Sequence, residues 1–234
     1  MDPLNNASQL QRRLAAAAQA NELPRYIAIE GPIGAGKTTL ATRLAETLRY
    51  PLMLEPVTEN PFLDRFYSDG PKAALPTQLF FLLHRARQVG DIGGRDLLGP
   101  NLVSDFMFEK DRLFAELTLD EQEFALYEQI HTSLQIDAPT PDLVIYLQAP
   151  AQVLRQRVQQ RGLDMEQSIE LEYLANLASA YTEFFYYYDA APLLVVNAAE
   201  IDFASQDSHF EMLLNQLLRM DGTRQFFNPN PSLL

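Results

Sequence analysis

Residues 27–46, IAIEGPIGAGKTTLATRLAE, constrain this chain more than any other stretch. An apolar run passes into a glycine-rich turn, and the turn into a segment of helical periodicity. Gly31 to Thr38 fits the pattern G-x-x-x-x-G-K-[ST], in which successive backbone N–H groups point inward at phosphate oxygens. Gly31, Gly34 and Gly36 permit backbone angles and a close approach that a side chain would block. The helix opening near Lys37 adds the positive end of its dipole. Lys37 is expected to bridge the β- and γ-phosphates and the Thr38 hydroxyl to ligate magnesium. The expected phosphate-binding set is Gly31, Gly34, Ala35, Gly36, Lys37, Thr38 and Thr39. With glycine near 7% of residues, a chance match in a chain of this length has odds on the order of 1%. The loop specifies a nucleoside triphosphate and leaves the acceptor of its terminal phosphoryl group open.

Around the loop, short apolar strands alternate with long helical stretches. Strands are expected at 25–30, 50–55, 102–106, 142–148 and 193–197. Helices are expected from 37, across 61–92 and 107–136, and over 150–162, 168–187 and 207–219. This alternation predicts an α/β, three-layer P-loop NTPase-type fold, with a five-stranded parallel sheet and helices on both faces. The site should lie beyond the carboxyl ends of the strands. Residues 1–24 read as an N-terminal extension, a short amphipathic helix or loose arm. The expected domain covers 25–220, with a helical lid near 155–168, a turn-rich connection at 90–100 and a C-terminal tail at 221–234.

Charge narrows the function. The formal net charge is −13, and lysine occurs only at 37, 72 and 110. A broad nucleic-acid surface would need a basic stripe, so no polymer partner is expected. The phosphate site must overcome the global field with local donors. No cysteine is present, which rules out disulfides and thiolate metal sites and suits a reducing cytoplasm. No apolar run approaches the length of a membrane span.

The acceptor side is read from carboxylates at strand ends. The second strand ends in Glu55, which is placed to take the proton of an attacking hydroxyl, though an ordinary surface acid fits that position equally well. Gln78 and Arg85 stand seven apart, two turns along one helical face. Asp105 ends the third strand and Asp111 lies on the next helix. Phe80, Phe81, Phe108 and Phe114 are candidates for a base-pocket wall, with core packing as the competing reading.

In order and separation, EGPIGAGKTT, EPVTENPFLDRFY, the Tyr67–Gln78–Arg85 spacing, SDFMFEKDRLFA and RQRVQQRGLDMEQSIELEYL strongly resemble the deoxynucleoside kinase family, from about residue 26 to about 203. The resemblance implies Glu55 as general base for a sugar 5′-hydroxyl, and Tyr67 with Glu166 holding the 3′-hydroxyl. It implies Gln78 facing the base, the Arg85–Asp111 pair completing base recognition, and Arg157 and Arg161 as lid arginines reaching the phosphates. Asp202 and Phe203, in NAAEIDFA, match the loop bordering the ATP adenine. Magnesium, held by Thr38 and Asp105, and a homodimer formed through helices are implied as well.

The chain departs from the better-known eukaryotic members at one strand end. They carry Glu-Arg-Ser where this chain has Asp105-Phe106-Met107, and a further lid arginine corresponds to Leu163. The pattern resembles the bacterial branch, and the missing charge is expected from Arg157, Arg161 or another lid residue. The implied reaction moves the γ-phosphoryl group of ATP to a 2′-deoxynucleoside. Asp111, an acceptor only when ionised, favours bases with an amino group over thymine. Among those bases the resemblance leans towards purines. Two rivals stay open: a nucleoside monophosphate kinase of the thymidylate type, and a nucleotide-operated switch protein.

Overall fold

Side-chain alternation decides how the sheet is covered. In the strand β1 (Tyr26–Glu30), Ile27 and Ile29 enter one core and Ala28 enters another. The strands β4 (Leu143–Gln148) and β5 (Leu193–Asn197) repeat this. Leu143, Ile145, Leu147, Leu194 and Val196 join the first core; Val144, Tyr146, Leu193 and Val195 join the second. Successive side chains of a strand point to opposite faces. Strands apolar at every position therefore need helices on both sides.

The computed structural model describes residues 3–93, 101–203 and 206–229, and the account that follows concerns these. The strands β2 (Leu52–Met53), β3 (Leu102–Ser104) and β6 (Arg224–Phe227) complete the sheet. Its order is β2-β3-β1-β4-β5-β6 and every neighbouring pair is parallel. The first core is roofed by α1 (Pro3–Gln19), α2 (Lys37–Leu48), α7 (Ala151–Arg161) and α9 (Asp207–Leu217). On the second face lie α5 (Lys110–Thr118) and most of α8 (Leu171–Tyr187). Smaller clusters knit α3 (Leu63–Asp69) to Ala74 at the start of α4 (Ala74–Gly93), and join α4 to α5 and α6 (Glu121–Leu134).

The sheet has six strands rather than the five expected. The extra one, β6, lies in what reads as a tail and pairs with β5, Leu193 opposite Arg224 and Val196 opposite Phe227. Four residues with no apolar alternation give no periodic signal, and Phe226 remains 73% exposed. The expected strand at 50–55 shrinks to Leu52–Met53, between Pro51 and Pro56, which cannot donate to a ladder. The extension at the N-terminus is a helix and not a loose arm. Leu10 and Leu14, each 5% exposed, dock it on the first core, and burial of this kind stabilises by about 1.5–3 kcal/mol per side chain. Of the expected connection at 90–100, residues up to Gly93 continue α4, and 94–100 lie outside the described residues.

Candidate active site

The glycine-rich turn leaves β1 at the centre of the sheet and is braced from two sides. Gly31 has φ 149°, and a Cβ there would stand 2.5 Å from the Leu147 carbonyl oxygen. Gly34 has φ 82°, and its Cβ would meet the Leu154 carbonyl oxygen at 2.7 Å. Both positions therefore demand glycine for their backbone angle and for space. The turn delivers Lys37 as the first residue of α2. Its Nζ donates to the carbonyls of Gly31 (2.8 Å) and Pro32 (3.2 Å). Burial, helped by the charge of Lys110, pushes the Lys37 amine down to about 8. The Thr38 hydroxyl donates to Asp105 Oδ2 at 2.6 Å, and Asp105 Oδ1 accepts from the Glu55 N–H at 2.7 Å. One carboxylate thus ties the loop helix to the ends of the second and third strands.

Acceptor-side residues converge beside it. Glu55 is held by Arg85 on one carboxylate oxygen and by Lys110 Nζ on the other, the latter at 3.0 Å. Burial alone would raise its pKa; Arg85, Lys110 and Lys37 outweigh that and hold the carboxyl well below the usual range. Arg85 also pairs with Asp111, so one guanidinium bridges two carboxylates. Asp111 Oδ2 is buried without a partner. The Gln78 amide donates to Thr118 Oγ1 at 3.1 Å, and the Thr118 hydroxyl donates to the Phe114 carbonyl at 2.6 Å. With its only proton committed, that hydroxyl can only accept from Gln78, which leaves the amide oxygen free for a ligand.

Past α7, Gly162 at φ 70° turns the chain back through a short 3-10 turn, Asp164–Glu166. Glu166, 2% exposed, meets Arg161 there in a two-oxygen ion pair. Arg157, on the same helical face, donates to the carbonyls of Ala198 (2.7 Å) and Ile201 (2.9 Å). The Tyr67 hydroxyl is held strongly protonated, by burial first and then by Tyr173 and Glu166.

These residues line two cavities. One, of about 450 Å³, is bounded by the loop from Gly34 to Thr39, by Arg157 and Arg161, and by Asp202 and Phe203. The other, of about 230 Å³, is bounded by Glu55, Tyr67, Gln78, Arg85, Lys110 and Glu166, with Phe81 and Phe114 in its wall. Gly34, Lys37, Thr38 and Arg161 line both. A model of the deoxynucleoside kinase family matches residues 27–220.

The chain belongs to the deoxynucleoside kinase family. It is similar to the deoxyguanosine kinase of Bacillus subtilis (strain 168), 37% identical over 193 residues, which covers 80% of this chain and 93% of the relative. The deoxyadenosine/deoxycytidine kinase of the same organism is 26% identical over 199 residues, covering 82% of this chain and 90% of that one. Among solved structures, the deoxyadenosine kinase from M. mycoides with bound dATP superposes with a TM-score of 0.71 at 29% identity, over 82% of this chain and 98% of that one. The chain is an ATP-dependent deoxynucleoside phosphotransferase of this family.

In this deoxynucleoside kinase the residues expected from sequence gather around the two cavities. Asp111 stands one ion pair behind the lining, through Arg85. The aromatic set divides: Phe80 stacks on His84 at 5.7 Å and Phe108 leans on His131 at 5.5 Å, outside the lining. Sequence reasoning missed three residues. Lys110 and Thr118 reach the site only through folding; Glu30 left a signal, a lone acid closing an apolar strand.

Two tests arise directly. A bound triphosphate would return Lys37 to its charged form, so binding above pH 8 must take up a proton. ATP affinity is expected to fall as pH rises through about 8, by up to about tenfold per unit, in fluorescent-analogue titrations. By the same linkage the nucleotide-free protein gains stability between about pH 8 and 10.5, as the buried amine loses its charge. Thr118→Val frees the Gln78 amide to turn. It is expected to raise the deoxynucleoside KM by about 2- to 10-fold with kcat unchanged, the worth of one neutral hydrogen bond.

Proposed function

We propose that the smaller cavity takes a 2′-deoxynucleoside, with a purine preferred and thymidine disfavoured, and that the larger takes ATP. The observation that carries this reading is the shared wall: Gly34, Lys37, Thr38 and Arg161 border both spaces, so a γ-phosphoryl group in one faces an acceptor in the other. Glu55 orients the 5′-hydroxyl and receives its proton. Tyr67 and Glu166 hold the sugar, and Gln78 with the Arg85–Asp111 pair reads the base. Lys37 and the loop N–H groups spread the charge of a loose transition state, and the arginines of α7 join them only on exchanging Ala198, Ile201 and Glu166 for phosphate. Asp202 and Phe203 border the adenine.

The unpartnered Asp111 Oδ2 supports the base preference. A buried acceptor left alone costs about 1–3 kcal/mol, and an amino group on the base relieves that cost. The relatives named above carry deoxyguanosine, deoxyadenosine and deoxycytidine in their names, which agrees. Magnesium fits the hard oxygen pair of Thr38 and Asp105, since this ion takes one or two protein oxygens beside phosphate and water. Bound there, it would neutralise charge on the β- and γ-phosphates.

A homodimer through helical faces and a cytoplasmic setting belong to the same reading. Leu83 on α4 and Leu126 on α6 are 43% and 45% exposed, which offers apolar surface for such an interface. Among the described residues no helix is long and apolar enough to cross a membrane.

The deciding experiment assays four deoxynucleosides, their ribonucleosides and the matching monophosphates with ATP and magnesium. Phosphorylation of a purine deoxynucleoside above all others is expected. Preference for a monophosphate acceptor, or hydrolysis without any acceptor, would replace this reading with a monophosphate kinase or a nucleotide switch.

A further inference from the structure

Lysine is scarce in this chain, yet one of its three lysines is buried beside the reacting carboxylate. Lys110 is the first residue of α5, where a cation faces the positive end of the helix dipole. Its side chain is 4% exposed. So costly a placement requires compensation, and two carboxylates supply it. Glu55 Oε2 lies 3.0 Å from Nζ, and Glu30 Oε1 lies 4.0 Å away. Glu30 is itself fully buried and pinned by the Gly31 N–H at 3.1 Å, the Met107 N–H at 2.8 Å and the Tyr181 hydroxyl at 3.0 Å. It is therefore a fixed negative charge close to the lysine.

The cations expected to replace the missing strand-end arginine are otherwise engaged. Phe106 fills that position with a ring 1% exposed, against Arg85. Arg157 is spent on two backbone carbonyls and Arg161 on Glu166. Arg85 spans Glu55 and Asp111. Lys110 differs. An ammonium has three donors, and among the described residues only Glu55 accepts from it within hydrogen-bond distance. Two donors remain, on a group that borders the acceptor cavity together with Lys37 and Thr38.

We propose that Lys110 is a further catalytic residue, whose ammonium binds an oxygen of the γ-phosphoryl group during transfer and supplies from α5 the charge the third strand end lacks. This rests on the proposed reading of the site. In the step, the 5′-oxygen–phosphorus bond forms as the bond from phosphorus to the β,γ-bridging oxygen breaks. ADP leaves with that electron pair, and the hydroxyl proton passes to Glu55. Lys110 exchanges no proton; it holds Glu55 on one side and the migrating phosphoryl group on the other.

Lys110→Met keeps the length and apolar stem and removes the charge. It is expected to lower kcat by about 100- to 1000-fold, the loss seen when a donor to developing charge is removed. KM for deoxynucleoside and for ATP should each move less than about fivefold. Lys110→Arg should recover at least about tenfold of the lost turnover, a rescue that a purely packing role would not show. If Lys110→Met gives no folded protein by circular dichroism, Lys110→Gln against Lys110→Arg carries the same contrast of charge. A kcat within about fivefold of the parent in the neutral variant, a loss confined to KM, or an arginine variant no better than the neutral one overturns the proposal. The unsubstituted protein separates the two readings: failure to phosphorylate any deoxynucleoside sinks the proposed function, whereas an active parent with an indifferent Lys110 sinks only the lysine's role.

Discussion

Glu55→Gln is expected to lower kcat by about two to four orders of magnitude while ATP affinity stays within about twofold of the parent, because a lost general base removes proton transfer and leaves the phosphate loop intact. The surroundings sharpen the expectation. Arg85, Lys110 and Lys37 hold the carboxyl far below its ordinary range against the opposing effect of burial. Glu55 is thus ionised throughout the neutral and mildly acid range, and the pH–rate profile of the parent should show no inflection where a free glutamate titrates. So weak a base takes its proton late, once the phosphoryl bond is largely formed, which suits a loose transition state. Turnover and nucleotide titration of the variant check the first expectation, and a kcat near that of the parent would remove Glu55 from the role.

Thymidine is expected to be a poorer substrate than deoxyadenosine or deoxyguanosine by at least about three orders of magnitude in kcat/KM, as for sites that leave buried polar groups unpaired on the wrong ligand. Asp111 is the source. It is 2% exposed, paired with Arg85 through one oxygen and unpartnered at the other. Thymine would turn a carbonyl oxygen and a methyl group towards an acceptor that can donate nothing. Asp111→Asn replaces one of its acceptor oxygens with an amide group that can donate. It should narrow the ratio by about tenfold or more, by lowering kcat/KM for the amino-bearing bases. Specificity constants for the four deoxynucleosides, parent against variant, measure both quantities. Equal constants for thymidine and deoxyadenosine in the parent would defeat the argument.

Features that a short stretch of chain dictates were legible in the sequence. The phosphate loop announces itself because Gly31 and Gly34 answer to their own backbone angles and to nearby carbonyls. The strand at 193–197 carries its apolar run within sharp boundaries. What escaped was assembled from a distance. Lys110 meets Glu55 across 55 positions of chain, and nothing local to EKD shows which cation will be buried. Glu30 draws its donors from Met107 and Tyr181, 77 and 151 positions away. The strand β6 owes its existence to the edge that β5 offers, since its own four residues carry no pattern. The strand at the opposite edge, β2, is short because prolines interrupt the ladder.

The guanidinium of Arg85 clasps Asp111 and Glu55, the carboxylates proposed to read the base and to handle the sugar alcohol. Selectivity and speed therefore share a hinge pin. Anyone who re-letters the pocket to accept another nucleobase also retunes the chemistry at its far end, and libraries that vary position 111 alone should yield broad but sluggish enzymes. Compensating changes belong at the rings packed against that arginine, Phe81 and Phe106.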